Sequence, residues 1–163
     1  MKIDDVVWTR ELQPDEYPDG VLRYMDKKHV RNVVTLRGVS GVPLIPGGLF
    51  ENFARFEPVG DRGGRHKIGE NPKAPARESD AGDYFLADRA HVSQCLKHAE
   101  KLFGGIGVYF DTHSGVMFHL DNRPQPVKWL RVAGEYIDYN VDPVRFYRAF
   151  ADELAKLPAQ KVW

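Results

Sequence analysis

One cysteine, Cys95, stands among 163 residues. A lone thiol excludes an internal disulfide framework and any zinc site built from several thiolates. An excess of one charge is missing too: Lys plus Arg and Asp plus Glu each total 23, so the formal net charge is zero. That balance calls for neither nucleic acid nor an anionic membrane surface, and the basic residues form no stripe interleaved with aromatics. Apolar runs are short. The charge-free stretch from Gly38 to Phe50 is broken by Pro43 and Pro46 and cannot span a bilayer. The opening Met1-Lys2-Ile3-Asp4-Asp5 carries acids where a secretory signal needs apolar residues. These features predict a soluble, cytoplasmic protein, with lysis or delivery by a particle as its routes outward. Internal repeats and low-complexity segments are absent.

What is present centres on residues 104–121. Two apolar runs flank a polar turn, Asp111 to Gly115, and predict a β-hairpin. Side chains alternate along a strand, so Val116, Phe118 and Leu120 share a core face while Met117, His119 and Asp121 share the other. An imidazole and a carboxylate therefore stand side by side.

The length fits one domain over 1–163 with a real core. Residues 1–20, with two prolines and many acids, read as an irregular arm. Asp26 caps an expected helix over 27–37, with Val30, Val33, Val34 and Arg37 at helical spacing and Gly38 as its stop. Val42 to Ile45 reads as a short strand, placed at an edge or a strand start by Pro43. From Pro46 to Ala90 the chain is dense in Gly, Pro and charge, which predicts little regular structure and a functional role for so long a segment. Asp88 caps a helix over 89–103, whose apolar face holds Val92, Cys95, Leu96, Ala99, Leu102 and Phe103. After the hairpin come a loop broken by Pro124 and Pro126, a short apolar run over 127–132, and a polar turn. A helix over 142–157 then starts at Asp142-Pro143, is striped by Phe146, Phe150, Leu154 and Leu157, and stops at Pro158. The sum is an α+β domain with a small, mostly antiparallel sheet and helices packed on it. The hairpin is expected beside strand 42–45, with helices 27–37 and 89–103 together on the sheet.

His66, Asp83 and His119 would give two nitrogens, one oxygen and an open fourth position, the donor set of a catalytic zinc. The same residues also fit a solvated His66, a turn-capping Asp83 and a hydrogen-bonded sheet residue at 119. His29, His91, His98 and His113 read as solvated or packed, Cys95 as core, and Trp129 and Tyr109 as packing residues. Gly104-Gly105-Ile106-Gly107 precedes a strand, whereas a phosphate cradle must open a helix.

Five motifs stand in order: Gly64-Arg65-His66, Ser79-Asp80-Ala81-Gly82-Asp83, Gly104-Gly105-Ile106-Gly107-Val108-Tyr109, Val116-Met117-Phe118-His119-Leu120-Asp121 and Val127-Lys128-Trp129. Over roughly residues 27–131 the chain resembles the zinc D-Ala-D-Ala carboxypeptidase family, peptidase M15, with the hedgehog/DD-peptidase fold. That family carries Ser-x-His, Gly-x-Ala-x-Asp, Gly-Gly-x-Gly-x-Tyr, Phe-x-His-x-Asp and a downstream Arg-x-Trp-like element. The resemblance implies a zinc ion held by His66, Asp83 and His119, and residues 21–132 as a peptidase-like core. It implies hydrolysis of peptidoglycan peptides, of carboxypeptidase or endopeptidase type, and suits a phage-associated or degenerate member. Three departures stand out. An insertion over 67–78 separates the first two ligands, so the loop must double back. The Ser-Gly-Tyr-Arg element is absent, leaving Arg65 or Arg55 as the substrate-binding arginine. The family's acidic base position holds Val116. Asp121 is the local substitute, as catalytic base or as the acceptor that orients His119; Asp80 and Glu135 are further candidates. The other reading is a non-catalytic or metal-free relative that binds cell-wall material or serves structurally in a phage particle.

Overall fold

Asp26 starts the first helix as expected: its carboxylate accepts the His29 backbone N–H at 2.9 Å, satisfying a donor the helix itself cannot. The computed structural model describes Val6, Trp8 and residues 12–60, 64–86 and 89–156. Helix α1 (Lys27–Ser40) passes through Gly38 and stops at Gly41, which adopts the left-handed conformation (φ +63°) and donates to the Arg37 carbonyl. The stop is therefore three residues later than expected, because position 41 is the one that takes the positive φ. Helix α2 is shorter than its apolar pattern, Val92–Ala99, with a 3₁₀ turn over Arg89–His91 before it and turns carrying the chain to Phe103. Its expected cap, Asp88, lies outside the described residues. Asp142 caps helix α3 (Pro143–Ala155) through the Arg145 N–H at 2.9 Å; Leu157 and Pro158 lie outside the described residues.

The strands are β1 (Leu44–Pro46), β2 (Ala81–Leu86), β3 (Gly105–Thr112), β4 (Gly115–Asp121), β5 (Val127–Val132) and β6 (Glu135–Asp138). They form one sheet in the order β1-β2-β4-β3-β5-β6, antiparallel except for the β3–β5 pair. Among the described residues the fold is thus α+β, with a six-stranded, mostly antiparallel sheet and three α-helices. Two expectations are corrected. β2 forms inside the stretch read as irregular, and it separates β1 from the hairpin. β6 forms where only a polar turn was expected to follow β5. The proline-bearing β1 takes the sheet edge, where its missing donor costs no ladder bond.

Between β4 and β5 the chain steps across the end of β3. Gly104 lies beneath this step: its N–H donates to Asp121 O at 3.0 Å, and its carbonyl accepts from Val127 N at 2.8 Å. A Cβ on Gly104 would run into the Arg123 carbonyl. One sheet face holds Tyr84, Leu86, Ile106, Val108, Val116, Phe118, Leu120 and Leu130. These join Val30, Val33, Val92 and Cys95 of the packed pair α1 and α2 in one buried cluster. Leu12 and Tyr17 of the N-terminal arm are buried in the same cluster. The other face carries the site.

Candidate metal centre

The strand register brings the chemistry together. Asp83 pairs with His119 across β2 and β4, His119 with Gly107 across β4 and β3, and Gly107 with Trp129 across β3 and β5. The next rung holds Phe85, Met117, Tyr109, Arg131 and Tyr136. Asp83 is therefore a strand residue opposite His119, not a cap in a loop. Gly107 leaves room for the Trp129 ring, which a Cβ there would meet at 2.5 Å.

His66 arrives from the irregular segment. Arg55 N donates to His66 O at 2.7 Å and Ile68 N to Arg55 O at 3.0 Å, a short bridge that fixes the segment on either side of the histidine. The 67–78 insertion does double back. Arg77 returns its guanidinium to the carbonyls of Lys67 (2.7 Å), Gly64 (3.1 Å) and Arg65 (3.2 Å). Buried Ile68 anchors the turn.

His66, Asp83 and His119 are buried together and form a group able to hold a metal ion. His66 Nε2 lies 3.1 Å from His119 Nδ1 and 3.4 Å from Asp83 Oδ1; His119 Nδ1 lies 3.0 Å from Asp83 Oδ1. The outer partners set the tautomers. His66 Nδ1 faces the Phe53 carbonyl at 3.4 Å, which can only accept, so that nitrogen carries the proton. His119 Nε2 faces the Asp121 carboxylate at 3.0 Å and donates to it. Both remaining nitrogens then turn lone pairs toward the Asp83 oxygen. Three acceptors this close require a positive charge among them, either a proton or a cation. Donors about 2.0–2.1 Å from a tetrahedral ion are separated by roughly 3.3 Å, which matches the three distances found.

Electrostatics agree with that geometry. When the charge is a proton, burial raises the Asp83 carboxyl pKa, but hydrogen bonds donated by the protonated histidine pair His119 and His66 outweigh burial and hold it below the usual range. Asp121 behaves likewise through His119 and Arg123. Burial pulls His119 down, yet Asp121 and Asp83 leave it above its ordinary value.

The cluster opens on a cleft of about 420 Å³, whose walls include Arg55, Arg65, Arg123 and Arg131 with Tyr109, Trp129 and Tyr136. Arg65 lies in this wall and pairs with Asp80. Asp121 sits behind His119, on the nitrogen turned away from the cluster. Glu135 is bonded to Arg145 and lies outside the cleft lining. Val116 is buried on the core face, opposite His119, and does not line the cleft. Among the described lining residues the only carboxylate is Asp83.

Sequence reasoning missed Arg123, although it continues the alternation His119, Asp121, Arg123 by one step. Trp129 and Tyr109 pack as expected and also line the cleft, where the indole N–H donates to Tyr109 Oη at 3.3 Å. Burial pushes the Tyr109 phenol up to about 12. His29 is wholly buried and meets Tyr84 Oη at 2.9 Å. No helix among the described residues is long and apolar enough to cross a membrane. No protein-family model, curated protein or solved structure matches this chain.

Proposed function

We propose that this chain is a zinc-dependent peptidase of the hedgehog/DD-peptidase type, acting on peptidoglycan peptides. The observation that carries the reading is the convergence of three lone pairs, from His66, His119 and Asp83, at the edge lengths of a tetrahedral metal site. When bound, zinc polarises a carbonyl and lowers the pKa of a water toward about 7. The chain's own residues do the rest. His66 and Asp83 come from separate segments and order the loop around the site. Asp121 fixes the plane and tautomer of His119 rather than serving as the base, because its oxygen is committed to the far nitrogen. The arginines of the cleft, Arg65 among them, suit a peptide that carries a carboxylate. The half-buried rings of Trp129 and Tyr109 form a wall suited to such a peptide.

A second reading is favoured by the shortage of free carboxylates. With Asp83 as a ligand, the described cleft residues supply no other acid to take a proton. A metal-bearing relative that binds cell-wall peptide without cleaving it has the same geometry. Metal analysis of protein supplied with zinc, combined with mass spectrometry of a peptidoglycan-peptide digest, separates the readings. Bound zinc with released peptide supports the peptidase. Bound zinc with intact peptide supports the binding protein. Protein that takes up no zinc overturns both.

A further inference from the structure

The geometry points to Arg123 as a positioning residue of the metal centre, acting through Asp121 on His119; this rests on the metal reading above. Arg123 holds Asp121 from three directions. Its backbone N–H donates to Oδ1 at 3.0 Å, its Nε to Oδ1 at 2.8 Å and Oδ2 at 3.0 Å, and its Nη2 to Oδ2. Oδ2 is also the oxygen that accepts from His119 Nε2. The carboxylate lies across Gly105, where a Cβ would collide with both oxygens. Arg123 places its guanidinium 5.3 Å from the Trp129 ring centroid, and that ring lies 5.4 Å from the His119 ring. Charge-assisted, forked bonds of this kind fix direction as well as distance. A free Asp121 would rotate about its side-chain torsions and release the His119 ring. A clamped one leaves the Nδ1 lone pair aimed at Asp83 and His66.

The test is a zinc titration against a chromophoric chelator on the full chain, with the visible spectrum of the cobalt form as a second readout. Arg123→Gln should weaken zinc binding about tenfold and shift the cobalt bands, as loss of a group behind a metal ligand does. Arg123→Lys, which keeps the charge and one donor, should recover most of that loss. In an Asp121→Asn background, Arg123→Gln should add less than about twofold, because both act through one carboxylate. Gly105→Ala displaces the carboxylate from the other side and should weaken zinc similarly. If Arg123→Gln fails to fold, Gly105→Ala and Arg123→Lys still decide. The positioning role is overturned if wild-type protein binds zinc while Arg123→Gln leaves affinity and spectrum unchanged, if the two losses add in full, or if Gly105→Ala keeps wild-type affinity. Wild-type protein that binds no zinc or cobalt overturns the metal reading itself.

Discussion

His119 and Asp121 stand two residues apart on one face of β4, and the 3.0 Å bond between Nε2 and Oδ2 closes a loop of only one strand step. The bond consumes the nitrogen that does not face Asp83. Replacing Asp121 by Asn should therefore weaken zinc affinity by about 10- to 100-fold, read by competitive chelator titration. Unchanged affinity with abolished turnover would instead make Asp121 the base.

Replacing His119 by Ala removes the ligand that touches both of the others. Metal content should fall to a small fraction of wild type. Hydrogen exchange over residues 64–80 should accelerate in zinc-supplied protein, because metal binding is coupled to the order of the segment it ties down. His113, exposed in the hairpin turn, is the control. Its Ala variant should keep the metal, and loss of metal there would point to a general folding defect.

His29, which is not itself a ligand of the cluster, gives a further pH test. Burial lowers its pKa from 6.5 to about 3 in the folded protein. A histidine kept neutral in the fold but free to charge when unfolded costs stability as pH falls below 6.5, and the cost stops growing near its folded pKa. Between pH 7 and pH 5 the His29 component of the loss should be about 2 kcal/mol, read in urea unfolding as the difference between wild type and His29→Gln. Asp83 and Asp121, with depressed folded values, lose their contributions only below the ordinary carboxylate range. His119 has the opposite sign, its contribution growing as pH falls, and it is common to wild type and variant. His29→Gln should remove the His29 component and flatten the pH 5–7 difference; an equal slope in both proteins would refute the assignment.

Gly107→Ala sets a methyl against the Trp129 ring. The central sheet cannot relax freely around it, so unfolding free energy should drop by roughly 1–3 kcal/mol. Tryptophan fluorescence should shift with it. Wild-type stability and emission would show that the ring moves aside without strain.

Much of this arrangement was legible in the sequence because it follows side-chain alternation. The core set Val116, Phe118 and Leu120, the opposed pair His119 and Asp121, and the caps Asp26 and Asp142 are local patterns, and each was found. β2 was not, because Asp80, Gly82 and Asp83 have a loop-like composition. The strand exists through pairing with β1 and β4, and Gly82 is needed where a Cβ would meet the Tyr84 hydroxyl at 2.7 Å. The same nonlocal pairing carries Asp83 to His119. Arg77 is likewise silent in the sequence, since its three carbonyl partners lie 10 to 13 residues away.

Gly105 and Gly107 of β3 also decide how the sheet indexes itself. A slip of one residue would turn core side chains to the open face and is forbidden by burial. A slip of two keeps every face correct, so alternation alone cannot prevent it. Size does. Shifting β3 one way would bring Tyr109 under the Trp129 ring, and shifting it the other would bring Phe103 under the Asp121 carboxylate. Neither side chain fits where Gly107 and Gly105 now lie. The two small residues act as a notch that admits a single alignment, and that alignment is the one that sets Asp83 and His119 opposite one another.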